Sequence, residues 1–216
     1  MTFHPLAETN ATGEEYFRSI GILSSDMEPL ISCPSVWTNT DSLDSDGGSY
    51  TVTESVLEYA SPNSTSWVGW DLASSISKGL ILAYIQASGS DWTGVGFHSS
   101  TLPTGALQND YQTVYAGAYS YTEIGKHSGG GFTQLGTETT FYQDDQKYSP
   151  VMGIALYVDQ SNPGSEVQKT FCRSSSAQWF EVLSIGDDTF SSFQSCYFRS
   201  SGESARFITP VMVWGA

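Results

Sequence analysis

The sequence predicts an all-β fold, an antiparallel β-sandwich of jelly-roll type preceded by an extended N-terminal arm. Three observations point there. Short runs that either alternate or are apolar throughout recur along the chain, separated by Ser, Gly, Asn and Pro. Aromatic residues reach 13% and charged residues only 14%, so much of the buried surface comes from Tyr, Phe and Trp, whose faces suit sheet packing. No stretch has a sustained apolar stripe at helical spacing. A chain of 216 residues is long enough for one substantial core.

From Met1 to Pro34 no period of two is sustained. Glu14, Glu15, Tyr16, Phe17 and Ile20 are spaced for one short helical turn after Thr12-Gly13, and EPLISCP punctuates the end of the segment. Residues 1–34 are expected to form an arm that packs on something else, such as a neighbouring subunit, and residues 35–216 the sandwich domain. Past Val36-Trp37 the run from Tyr50 to Leu57 alternates, with Tyr50, Val52, Glu54 and Val56 on one side. SWVGWDL, GLILAYIQA, TGVGFHS, YQTVYAGAYSYT, GFTQLGTETTFY, VMGIALYV, TFCRS, QWFEVLSI, FSSFQSCYF and ARFITPVMVW follow, giving ten or eleven strands. GLILAYIQA and VMGIALYV are apolar on both faces, which places them centrally under cover on each side. The last strand, from Ala205, also demands cover on both faces. If a second copy supplied one of them, a homo-oligomer would follow, with a trimer as the expected number.

The 8 Lys+Arg against 23 Asp+Glu give a formal net charge of -15, which argues against nucleic acid and against anionic membranes as partners. No run of 18 apolar residues exists for a membrane span, and the start MTFHPLAETN lacks a basic-then-apolar pattern, so no secretion signal is expected. Cys33, Cys172 and Cys196 match neither a disulfide framework nor a metal knuckle; three buried thiols are expected, with a Cys172–Cys196 pair as the alternative.

DSLDSDGGSYTVTESVLEY, from Asp41, reads as an acidic turn entering a strand, since Asp-Gly-Gly supplies positive φ. The alternative is an irregular Ca²⁺ site formed by Asp41, Asp44 and Asp46. An EF-hand is excluded because Ser42 and Thr53 stand where its outer carboxylates belong. No other cofactor is expected. Motifs for a nucleophile elbow, a metalloprotease or a phosphate loop are missing. His98 and His127 read as turn or surface residues, and Glu54 and Glu181, a possible glycosidase pair, as solvated strand positions. A non-enzymatic protein is expected. Sugar binding through aromatic platforms is the chemical alternative: alternation in SWVGWDL sends Trp70 to the core and Trp67 outward, Trp92 lies in a loop, and Tyr115 and Tyr119 share a face of YQTVYAGAYSYT. A tyrosine ladder also serves as cross-strand packing.

The non-periodic arm, the Ser/Thr/Gly-rich strands YQTVYAGAYSYT and GFTQLGTETTF, and the apolar ending VMVWG resemble the β-sandwich proteins of tailed-phage virions, among them head-decoration, fibre and receptor-binding components. The resemblance implies a virion structural protein, assembled in the host cytoplasm, that contacts other virion subunits through its arm and adheres to a surface glycan. A lectin-like carbohydrate-binding module is the alternative reading, and a sandwich glycoside hydrolase or lyase the third.

Overall fold

The apolar runs fold as the strands of two stacked antiparallel sheets. The computed structural model describes residues 9–38, 43–45, 49–60, 67–87, 93–103, 113–118, 121–128, 131–139, 152–173, 179–186, 190–200 and 204–216. One helix, α1 (Thr9–Ser19), precedes strands β1 (Glu28–Cys33), β2 (Asp44–Ser45), β3 (Ser49–Val52), β4 (Val56–Ala60), β5 (Trp67–Ile76), β6 (Lys78–Ala87) and β7 (Thr93–His98). Then come β8 (Thr113–Ala118), β9 (Tyr121–Ser128), β10 (Gly131–Thr139), β11 (Met152–Asp159), β12 (Val167–Arg173), β13 (Trp179–Ile185), β14 (Phe193–Ser200) and β15 (Ser204–Gly215). Among the described residues the first sheet has eight strands, ordered β13-β12-β11-β6-β15-β4-β3 with β1 beside the second half of β15. The second has seven, ordered β10-β9-β8-β7-β14-β5-β2.

Burial on both faces put GLILAYIQA and VMGIALYV at the centre, and β6 and β11 are indeed neighbours in the middle of the eight-stranded sheet. Their alternate residues Ile81, Ala83, Ile85, Ile154, Leu156 and Val158 face the second sheet. There they meet Val68, Trp70, Val95, Phe97, Phe193 and Phe198. Trp37 stacks on Trp70 with centroids 5.7 Å apart, and Phe198 sets its edge against Trp70 at 5.5 Å. Such pairs add about 0.5–1.5 kcal/mol beyond area burial. The three cysteines are buried thiols outside any disulfide, with Cys172 and Cys196 in different sheets. Burial pushes the Cys196 thiol up to about 12.

From Thr9 to Cys33 the chain packs on its own sandwich. Helix α1 lies against the outer face of the eight-stranded sheet, where Phe17, Ile22, Leu23 and Met27 pack with Leu80, Leu82, Tyr157, Phe171, Trp179, Met212 and Trp214. Gly21, with φ 76°, stops the helix. Its amide bonds to the Arg18 carbonyl at 3.1 Å and the Ile22 amide to the Phe17 carbonyl at 3.0 Å, a glycine C-cap that folds Ile22 back on the helix. β1 then pairs with β15 from Glu28 to Cys33, so the boundary expected after residue 34 falls beyond a strand of the sandwich. Met212 and Trp214 of β15 belong to this helix-covered cluster and Val211 and Val213 to the central core. Both faces of the last strand are therefore covered within the chain, which removes the ground for expecting a trimer.

Two expected strands are hairpins. In the run from Tyr50 to Leu57, the Thr53 amide and hydroxyl both donate to the Val56 carbonyl, at 2.8 and 3.1 Å, and β3 turns back into β4. Glu54 is thus an exposed turn residue whose carbonyl accepts from the Trp37 amide. Within YQTVYAGAYSYT, Tyr115 lies on β8 and Tyr121 on the antiparallel β9, so these two do not share one strand.

Candidate functional site

The two outer faces of the sandwich have opposite chemistry. Helix α1 seals an apolar face on the eight-stranded sheet. On the seven-stranded sheet, alternation leaves a polar and aromatic set pointing away from the core. Since Val68, Trp70, Val95, Phe97, Cys196 and Phe198 point inward, the opposite side receives Trp67 and Asp71 of β5, His98 of β7, and Ser195, Tyr197 and Arg199 of β14. Register aligns these in three cross-strand rows: Asp71–Ser195–His98, Gly69–Tyr197–Gly96 and Trp67–Arg199–Gly94.

The glycines make the middle row possible. A Cβ on Gly96 would collide with Cζ and Oη of Tyr197, and one on Gly69 would come 2.7 Å from Tyr197 Cα, so the phenol lies across β7 where no side chain intervenes. Trp67, Tyr197, Ser195, His98 and Arg199 are all buried within the chain, while Asp71, Ser100 and Thr101 are exposed at the rim. The rim is tied together: Asp71 Oδ1 accepts from the Leu102 amide at 2.7 Å, and Ser195 Oγ donates to the Ser100 carbonyl at 2.8 Å. The Ser100 amide donates to His98 Nδ1 at 3.0 Å. The Ser100 carbonyl and hydroxyl lie 3.0 and 3.1 Å from the same ring nitrogen, which accepts from the amide in one tautomer and donates to the carbonyl in the other.

Asp71, Ser195 and His98 are the residue types of a hydrolytic triad in one row, yet the geometry is not one. Ser195 is buried with its hydroxyl committed to Ser100, and His98 Nδ1 is engaged by the same residue. Burial lowers the His98 pKa from its ordinary 6.5, against the raising effects of the Ser100 backbone and the Asp71 charge. The sign follows. The stability contributed by a neutral His98 is fully present above about pH 6.5 and is lost as pH falls through the lowered folded value. Urea titrations should accordingly show a smaller acid-side loss in His98→Gln than in the parent. An identical slope in both would exclude His98 as the responsible group.

The residues singled out from sequence distribute unevenly. Trp67 does point away from the core face but is 0% exposed, so the outward platform expected there is corrected: the tertiary fold covers it. Tyr115 lies on β8, in register with Gly96. Trp92, Tyr119, Asp41 and Asp46 lie outside the described residues. Asp44 is exposed in β2 and its Oδ1 accepts from the Ser45 amide at 2.7 Å, a local turn contact. Among the described residues no three His, Cys, Asp or Glu side chains group to hold a metal. Glu54 and Glu181 sit at opposite edges of the eight-stranded sheet, and Glu181 pairs with Lys169 at 2.8 Å, so they flank no common groove. Sequence reading passed over Asp71, Tyr197 and Arg199; the alternating glycines of TGVGF, opposite SCYFR, were the available signal.

No protein-family model matches the sequence, and no curated protein matches it. Solved structures do. The exoplasmic/lumenal domain of VIP36 in its Ca²⁺/Man3GlcNAc-bound form superposes with a TM-score of 0.61 at 10% identity, covering 88% of this chain and 90% of that one. The carbohydrate-binding module CBM66 from Bacillus subtilis gives 0.56 at 13% identity, covering 80% and 96%. The alginate lyase Aly36B gives 0.53 at 11% identity, covering 80% and 86%. The fold is therefore the two-sheet antiparallel jelly-roll sandwich shared by these domains. This overturns the resemblance to tailed-phage virion proteins and the virion structural role of capsid decoration or fibre drawn from it. Ser/Thr/Gly-punctuated strands are a general property of sandwiches, and no motif had tied them to virions. Among the described residues no helix is long and apolar enough to cross a membrane.

Proposed function

We propose that the chain is a lectin-like carbohydrate-binding module whose glycan binds at the exposed rim formed by Asp71 and the Ser100–Leu102 turn, at the edge of the seven-stranded sheet's outer face. The observation that carries this reading is the length of the structural likeness to two glycan-binding sandwiches, which spans most of this chain and of both counterparts. The site chemistry supports it. Asp71 offers carboxylate oxygens to sugar hydroxyls, and the Ser100–Leu102 turn adds a hydroxyl and backbone groups beside it. A net charge of -15 repels polyanions, so a neutral glycan is the expected ligand.

Affinity electrophoresis through gels containing neutral polysaccharides tests this. The parent should be retarded by at least one of them, and Asp71→Asn, which keeps the shape but not the charge, should weaken retention about tenfold, as loss of a charged hydrogen bond does. Failure of the parent to be retarded by any neutral or acidic polysaccharide or mannose-rich glycan would remove the reading.

The likeness to an alginate lyase favours a second reading, cleavage of an acidic polysaccharide by β-elimination. Prolonged incubation with alginate should then raise the ultraviolet absorbance of an unsaturated product. A flat absorbance trace together with gel retention leaves binding alone.

A further inference from the structure

We infer that the opposite sheet carries a second site, a carboxylate-binding site built on Arg173 beside Tyr84 and Trp179, on the face that α1 packs against. Trp179, Arg173, Gly153 and Tyr84 stand in register across β13, β12, β11 and β6. Because Gly153 has no side chain, its long neighbours lie across β11: a Cβ there would meet Trp179 Cη2 at 2.9 Å and Arg173 Cβ at 3.0 Å. The Arg173 guanidinium extends along this track to Tyr84. Its Nη1 donates to Tyr84 Oη at 2.6 Å, and its Cζ stands 6.0 Å from the centre of the Tyr84 ring.

Arg173 is only 7% exposed, and a cation taken out of water demands a counter-charge. Among the described residues it has none. The ion pairs there join Arg18 to Glu14, Lys78 to Asp26 and Asp159, Lys169 to Glu181 and Arg206 to Glu58. The guanidinium offers five N–H donors and Tyr84 takes one. A second donor lies in the same cluster: the indole N–H of Trp179, a residue 6% exposed, is buried without a hydrogen-bond partner. It faces α1, where a Cβ on Gly13 would come 3.7 Å from it.

A planar, bidentate anion fits the guanidinium fork. The ring faces of Tyr84 and Trp179 favour an organic acid with an apolar or ring-shaped body, and the chain's charge of -15 disfavours a multivalent anion. The ligand class is accordingly a monocarboxylate. The site is on the other sheet from Asp71, so it stands or falls independently of the glycan reading.

Thermal unfolding and calorimetric titration of the full chain with benzoate, acetate, phosphate and sulfate, against sodium chloride of equal ionic strength, provide the test. Benzoate should raise Tm saturably beyond the chloride control. Arg173→Met, which keeps the stem, should abolish that shift and leave glycan retention unchanged. Arg173→Lys, which keeps the charge but not the fork, should weaken binding about tenfold and serves as the readout if the Met variant does not fold. Absence of any carboxylate shift overturns the proposal, as does a shift that survives Arg173→Met, or binding of phosphate or sulfate with none of carboxylate.

Discussion

Replacing Phe17 by alanine is expected to lower the stability of the whole chain by about 3–5 kcal/mol, the usual cost of removing a fully buried phenylalanine. Phe17 is 0% exposed and sits at the centre of the contact between helix and sheet. Its ring meets Phe171 edge-on at 5.1 Å, Tyr16 at 5.2 Å and Trp179 at 5.3 Å. An isolated 11-residue helix is marginal in water, so α1 depends on this face and the face on α1. Urea unfolding followed by tryptophan fluorescence and by far-ultraviolet circular dichroism should give one coincident transition, shifted down in midpoint. A variant as stable as the parent would show that the helix is a detachable arm, as the sequence had suggested.

Trp67→Ala should cost a similar amount, about 3–5 kcal/mol, and for a reason the sequence did not disclose. If Trp67 were an exposed sugar platform, its removal would cut glycan retention and leave stability within about 0.5 kcal/mol, as surface substitutions do. The structure instead buries it completely beside Arg199, its register partner. Loss of stability must therefore come first, and any change in retention must track the unfolded fraction. Measuring both on the same preparation separates the alternatives: weaker retention at unchanged urea midpoint would restore the platform.

Some elements were legible because one residue pattern has one structural solution. Apolar residues on both faces of GLILAYIQA and VMGIALYV have no stable place except the middle of a covered sheet, and β6 and β11 are there. The hairpin at Thr53 was missed because its turn contains no Gly, Pro or Asn; a threonine that bonds the Val56 carbonyl through both its amide and its hydroxyl does the work instead. Helix α1 was reduced to a single turn because its own residues hold only part of an apolar stripe. Gly13 and Phe17 share its buried side, and the rest of the contact is supplied by the sheet.

The candidate sites divide along the same line. From the sequence alone, alternation settled which side of β5 receives Trp67 and which receives Trp70, since a period of two leaves no choice once a core face is known. It also settled the acidity that makes polyanions poor ligands. Only the tertiary structure decided that Trp67 is covered, that Asp71, Ser195 and His98 form one row across three strands, and that Arg173 is buried against Tyr84 without a described counter-charge. The reason is that strands adjacent in a sheet are distant along the chain. Which side a residue faces is a local property of its own strand, but which residues stand beside it and what lies over it are set by strand order and register, and those depend on contacts between segments that the local pattern does not encode.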